Sequence, residues 1–339
     1  MTTLIPRPHY TERIAPFIGK NIIKVLTGQR RIGKSFILRQ VMEEIRRKEP
    51  EAHIISINKE LEQFRDIRTH EDLSHYLEPL LSKPGPHYLF IDEVQEIEDF
   101  QFCLRSLLAE EKCDIFCTGS NAQMLSGELA THLAGRSVSF DVHSLSYREF
   151  LTFHRLEAGQ ENLKKYLTFG GMPYLAHIGL EADVPFEYLR SVYSTILLKD
   201  TVAREKIRNV HFLEDLVAYL ADNIGNLFSA NNISKFLKSQ RVDLSPQVTL
   251  NYLRALSNAY LIHRVSRAEV GGMKIFETGE KFYFEDIGIS HAIRGFNFRR
   301  DVHKVMENAV YLHLIQQGYS VHVGQLKDCL LYTSDAADE

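Results

Sequence analysis

The sequence predicts an α/β chain: a doubly wound parallel sheet around a phosphate-binding loop, then a helical and winged-helix region, then an incomplete second α/β fold. Three observations carry this. Apolar runs near 22–27, 53–58, 87–92, 113–118 and 137–142 alternate with helix starts at Lys34-Ser35, His70-Glu71-Asp72, Glu98-Asp99 and Asn121. The loop after the first run has the spacing G-x-x-x-x-G-K-S. Beyond Phe150 the alternation gives way to mostly helical periodicity.

The first run, Ile22-Ile23-Lys24-Val25-Leu26, reads as a buried strand. The loop after it is Gly28-Gln29-Arg30-Arg31-Ile32-Gly33-Lys34-Ser35, and all eight residues are candidate nucleotide contacts. Such a loop turns its backbone N–H groups around a phosphate, and the following helix adds its positive N-terminal end. Lys34 is expected on the β- and γ-phosphates, and the Ser35 hydroxyl on Mg²⁺. The predicted ligand is a nucleoside triphosphate, ATP, with Mg²⁺.

Tyr88-Leu89-Phe90-Ile91 is apolar and ends in Asp92-Glu93. Acids at the C-terminal end of a buried parallel strand lie where open α/β sheets bind ligands. Asp92 is expected to hold Mg²⁺, and Glu93 to orient or deprotonate an attacking water, which favours hydrolysis over simple binding. The next strand, Cys113-Asp114-Ile115-Phe116-Cys117-Thr118, leads into Gly119-Ser120-Asn121. Asn121, with Ser120 second, is the candidate contact to the γ-phosphate or the water; Asn121 as a helix cap is the other reading. Arg136, before the alternating strand 137–142, is either a charge-stabilising arginine, acting in cis or on a neighbouring subunit, or a solvated surface residue.

These motifs, with Leu-Ala-Gly-Arg at 133–136, Leu-Ser-Tyr-Arg-Glu-Phe at 145–150 and Gly170-Gly171-Met172-Pro173, occur in an order that resembles a large prokaryotic family of AAA-type P-loop ATPases. The resemblance covers about residues 5–327. It implies an AAA-like module in which a sensor strand separates the two motif strands, then a winged helix, then a restriction-endonuclease-like domain of unknown function. The family pattern falls on Gly28, Gly33, Lys34, Ser35, Asp92 and Glu93, with Arg30 and Arg31 as its arginine pair. It names no substrate beyond ATP.

The expected organisation is an ATPase domain over 1–145, a helical linker or lid over 146–225, a winged helix over 226–286, and the start of a nuclease-like domain over 287–327. Ser146 with Glu149 is a capping-box signal, and Gly170-Gly171-Met172-Pro173 marks a turn. In the winged helix, Ser229 caps a first helix and Ser245-Pro246 opens a second. A hairpin then runs from 262–265 over Gly271-Gly272 to 274–277, and Lys281–Phe284 is a closing strand. Lys235, Lys238, Arg241, Arg254, Arg264 and Arg267 oppose the single acid Asp243 over 229–267, so this face is a candidate DNA footprint; a packing or protein-contact role is the alternative.

A helix around 302–316 carries Glu307, and 319–323 reads as a strand. In relatives these begin the nuclease-like fold, whose further metal-binding positions do not follow here. Residues 328–339 depart from the family pattern and resemble translated adapter read-through, with a natural acidic tail as the alternative; they are left out of the fold.

Composition narrows the function further. An apolar share of 44% and a charged share of 25% are those of an ordinary globular protein. No run approaches the roughly 20 apolar residues that span a bilayer, and the first residues lack a secretory apolar region, which predicts a cytoplasmic protein with no membrane contact. The four cysteines show neither metal-ligand spacing nor a disulfide framework, and no H-E-x-x-H occurs. No metal beyond the nucleotide's Mg²⁺ is expected. A net charge of −4 argues against nucleic-acid binding by the whole chain but leaves room for a local basic face. The leading reading is an ATPase whose nucleotide state is coupled to the winged helix, with oligomerisation open. The alternatives are a nucleotide-gated switch with little turnover, a nuclease in a longer parent and, less favoured, a kinase.

Overall fold

The computed structural model describes residues 4–122, 133, 135–181, 183–228, 233, 235, 245–268, 279–295, 298–326 and 329–335. The chain divides into two compact units, Met1–Val142 and His143–Glu339, just before the boundary expected at 145.

In the first unit, α1 (Pro8–Ile14) precedes β1 (Ile23–Thr27), α2 (Lys34–Lys48), β2 (His53–Asn58) and α3 (His70–Leu81). Then come β3 (His87–Asp92), α4 (Phe100–Ala109), β4 (Asp114–Gly119) and β5 (Ser137–Asp141). The five strands are parallel in the order β2-β3-β4-β1-β5. This is the predicted doubly wound sheet, with β4 between the loop-bearing β1 and the acid-bearing β3. The burial pattern explains why the strands were readable. Every residue of β1 and β3 is buried, as central parallel strands require, whereas β2 and β5 at the edges alternate.

One face of the sheet presents Ile23, Val25, Ile57, Leu89, Ile91 and Ile115 to Leu73 and Leu77 of α3 and to Cys103, Leu104 and Leu107 of α4. Beneath the sheet, the rings of Phe90 and Phe116 stack at 4.6 Å. Lys24, inside β1, is fully buried and paired with Asp114. Burial lowers the lysine pKa and raises that of the aspartate, each opposed by its partner. Cys103, Cys113 and Cys117 are free and buried, so they pack as small hydrophobes.

The second unit is mostly helical. Its first elements are α5 (Tyr147–His154), α6 (Gln160–Phe169), the single turn α7 (Leu175–Ile178) and α8 (Val184–Thr195), which runs on into a π-helical stretch, Ile196–Ala203. After α9 (Val210–Asp222) and α10 (Pro246–Asn258) come β6 (Ile262–Ala268), β7 (Glu280–Phe284), α11 (Ile287–Arg294), α12 (Phe298–Gln316), β8 (Ser320–Leu326) and β9 (Cys329–Asp335). The Ser146–Glu149 capping box forms, and Ser245 caps α10 by accepting from the Val248 N–H, with Pro246 in the first turn. Gly170-Gly171 is a packing point. The Gly171 N–H donates to Asp286 at 2.8 Å, and a Cβ on Gly170 would lie 2.4 Å from the same carboxylate.

The small sheet has the order β7-β6-β8-β9. On one side β6 pairs antiparallel with β7. The expected hairpin tip at 271–272, the return strand 274–277 and the cap Ser229 lie outside the described residues. On its other side β6 pairs parallel with β8, so one sheet runs across the boundary expected between 286 and 287. Residues 329–335, left out of the sequence-based fold, pair antiparallel with β8. Backbone pairing of this kind is indifferent to side-chain identity, which is why an atypical sequence accommodates it.

The outer side of β7 is also engaged. Phe228 exchanges two backbone bonds with Glu280, both at 2.8 Å, and the Gly225 N–H donates to the Phe282 carbonyl at 3.3 Å. The Asn308 side chain accepts from the Phe284 N–H at 2.8 Å and donates to the Phe284 carbonyl at 2.9 Å.

Candidate nucleotide site

The phosphate loop is shaped by its backbone. Gly28 (φ 142°), Arg31 (φ 69°) and Gly33 (φ 96°) all have positive φ. At Gly28 no other residue fits, because a Cβ would lie 2.2 Å from the Val142 carbonyl oxygen and 2.6 Å from Ile32. Lys34 opens α2, is 4% exposed, and donates to the carbonyls of Gly28 (2.8 Å) and Gln29 (2.9 Å). Arg30 is buried and pairs with Glu60 at 3.2 Å. From outside the motif, buried Arg7 donates to the Ile32 carbonyl at 2.9 Å and lies over the Tyr10 ring. The Arg7 backbone N–H is held by Gln40 at 3.0 Å, so the segment before α1 braces the loop.

At the ends of β3 and β4 the acids form one network. The Thr118 hydroxyl donates to Asp92 at 2.5 Å and accepts from the Glu93 N–H at 2.9 Å. Ser35 also hydrogen-bonds to Asp92, which joins the loop to the acid strand. Glu93 sits at φ 57°, and its carboxylate accepts from Ser120 at 3.0 Å and from Gln95.

The two acids are driven apart electrostatically. Burial raises the Asp92 pKa and outweighs the bonds from Ser35 and Thr118. Burial also pushes Glu93 upward, but the Lys34 charge, the Gln95 bond, the Arg30 charge and the Ser120 bond together bring it below its ordinary value. Glu93 is therefore an anion at neutral pH, with the Lys34 charge the largest influence opposing its burial.

The structure thus gathers residues 28–35, Asp92, Glu93 and Ser120. Of the candidate sensors, Ser120 donates to the Glu93 carboxylate, and Asn121 is buried beside it. Arg136 is not brought to this site. It is exposed, its carbonyl accepts from the Ile23 N–H, and it precedes β5, at the opposite end of the sheet from the loop. A five-residue strand spans about 17 Å, which rules out the cis role. Thr118, Gln95 and Arg7 were missed. Thr118 and Gln95 were visible only as neighbours of the acids, and Arg7 lies outside any recognisable spacing.

The basic face reads differently once folded. Lys238 and Arg241 lie outside the described residues, whereas Lys235 and Arg254 are exposed. Arg264 pairs with Glu280 at 2.7 Å. Glu280 lies outside the basic segment 229–267, and the β6–β7 register places it diagonally across the strand pair from Arg264. Arg267 is half-buried. Glu307 accepts from Lys281 at 2.9 Å and Tyr283 at 2.8 Å.

Comparison with known proteins agrees with this geometry. An AAA-domain pattern matches residues 20–151, and a domain of unknown function (DUF8612) matches 160–300. An uncharacterized protein of Haemophilus influenzae is 32% identical over 334 residues, 95% of this chain and 82% of that one. The chain belongs to the same AAA-domain family. The family extends to the archaea: uncharacterized protein MJ1544 of Methanocaldococcus jannaschii is 29% identical over 310 residues, 88% of this chain and 68% of that one. Among solved structures, the Walker-type ATPase PABY2304 of Pyrococcus abyssi superimposes with a TM-score of 0.57 at 14% identity, covering 86% of this chain and 96% of that one, a likeness of fold. The AAA domain is thus a P-loop NTPase fold, which implies nucleotide and Mg²⁺ as ligands. No helix among the described residues is long and apolar enough to cross a membrane.

Proposed function

We propose that this AAA-family chain hydrolyses ATP with Mg²⁺, and that its nucleotide state is read by the winged-helix region through contact with DNA or a protein partner. The observation that carries the reading is the joint engagement of Thr118 with Asp92 and Glu93, with Ser35 on the same aspartate. Residues 28–34 hold the phosphates through loop N–H groups and the Lys34 ammonium. Ser35 and Asp92 are the oxygen donors for Mg²⁺, which when bound neutralises phosphate charge. Glu93, anionic, takes the proton of the attacking water on its carboxylate, while Ser120 and Gln95 hold that carboxylate in orientation.

The test is ATP turnover with and without duplex DNA. Lys34→Ala is expected to lose nucleotide binding. Glu93→Gln is expected to keep binding and lose about 10²–10⁴-fold in kcat. Equal turnover by wild type and Glu93→Gln overturns the role of Glu93. The two hydrogen bonds that occupy the Glu93 carboxylate favour one second reading, a nucleotide-gated switch. It is identified by turnover below about 10⁻² per second together with partner affinity that differs sharply between ATP and ADP.

A further inference from the structure

Three residues far apart in sequence meet in the second unit. His143 is its first residue, His263 lies in β6, and Glu285 directly follows β7. One ligand atom from each lies within 4.8 Å of the others. Glu285 Oε2 is 3.1 Å from His143 Nδ1 and 2.6 Å from His263 Nε2. We propose that His143, His263 and Glu285 bind one divalent transition-metal ion of the zinc type.

The donor set decides the class of ion. Two imidazole nitrogens and one carboxylate oxygen suit zinc, cobalt, nickel or copper rather than magnesium or calcium. Bonds of 2.0–2.1 Å in a tetrahedral shell put donor atoms about 3.3 Å apart, close to the 3.1 and 2.6 Å contacts of Glu285 and within the 4.8 Å that bounds the whole cluster. Three protein ligands leave a fourth position for water.

The surroundings are those of a built site. Glu285 is 1% exposed, yet the partners of its Oε2 are two imidazoles rather than a lysine or an arginine. A dication would compensate this buried carboxylate while using the ring nitrogens as lone-pair donors. The other carboxylate oxygen, Oε1, accepts from the Ser144 N–H at 2.8 Å. The Ser144 hydroxyl donates to the Glu285 carbonyl, and the Ser144 carbonyl accepts from Gln316, both at 2.8 Å. Outer bonds of this kind fix the orientation of a ligating group. The two histidine side chains are 12% and 17% exposed, which gives an ion a way in.

The test uses the full chain, stripped with a chelator and titrated with Co²⁺ as a visible probe. One saturable equivalent is expected, displaced by Zn²⁺, and binding should weaken at least about 100-fold in the double variant His143→Asn/His263→Asn. The same binding in Asp92→Asn separates this ion from the nucleotide's Mg²⁺. A readout on wild type alone is protection of His143 and His263 from diethylpyrocarbonate by Zn²⁺, followed by peptide mass with the other histidines as controls. Absence of a saturable equivalent, binding kept in the double variant, binding lost in Asp92→Asn, or equal modification with and without Zn²⁺ each overturns the site. The last result would leave an imidazole–carboxylate hydrogen-bond cluster.

Discussion

At the scale of single residues, Thr118 carries more than its place in a strand suggests. Its hydroxyl donates to one acid and accepts from the backbone of the next, so Thr118→Val leaves two buried polar groups without that partner. The expected cost is about 1–3 kcal/mol of stability, with a fall in kcat as Glu93 loses its anchor. Urea unfolding and turnover measured together check this; a variant unchanged in both would show that the hydroxyl is idle. His291 acts on stability through pH. Burial lowers its pKa to about 4, against the Thr168 carbonyl that accepts from its Nδ1–H and the charge of Asp301. The unfolded chain takes up this proton near pH 6.5, the folded chain only near 4. The stability is therefore complete above 6.5 and drains as the pH falls toward 4, by up to about 3 kcal/mol. His291→Gln should flatten the difference in urea midpoint between pH 7 and 4.5; an unaltered difference assigns the acid sensitivity to other groups.

At the scale of elements, the phosphate loop works only because its first glycine is in contact with the end of the sheet. Gly28→Ala must displace the Val142 carbonyl at a φ that alanine avoids, and should weaken ATP binding at least tenfold in a calorimetric titration. Binding within twofold of wild type would mean that the loop relaxes freely. The elements also show which signals sequence preserves. β1, β3 and β4 were legible because parallel strands buried on both faces are written as unbroken apolar runs, and the loop and acids because their chemistry demands fixed spacing. The β6–β8 pair was not, since register between strands more than fifty positions apart leaves no local mark. The same applies to Arg264, whose partner Glu280 lies outside the basic segment 229–267, and to His143, His263 and Glu285, which no spacing unites.

At the scale of the whole molecule, the placement of Arg136 bears on assembly. It is exposed at the end of the sheet away from its own nucleotide loop, so any charge it lends to a phosphate must be lent to a neighbour. Arg136→Ala should then lower turnover, and mixing it with Lys34→Ala should recover activity above the sum of the two alone, because each variant supplies what the other lacks. An Arg136→Ala variant with wild-type kcat, or a mixture that only adds, assigns the residue to the surface.

The bonds along the outer side of β7 have a consequence for assembly. An amide side chain from Asn308 takes the place of a neighbouring peptide, and Phe228 and Gly225 occupy the rest of that border. A sheet border so filled offers no template for a foreign strand, whether from an aggregating copy or from an extended peptide. Growth of this sheet is thereby made one-directional: any strand that joins it, from the same chain or another, has to enter from the side away from β7. Asn308→Ala would leave the buried Phe284 N–H and carbonyl without that partner, while Phe228 and Gly225 still hold the rest of the border.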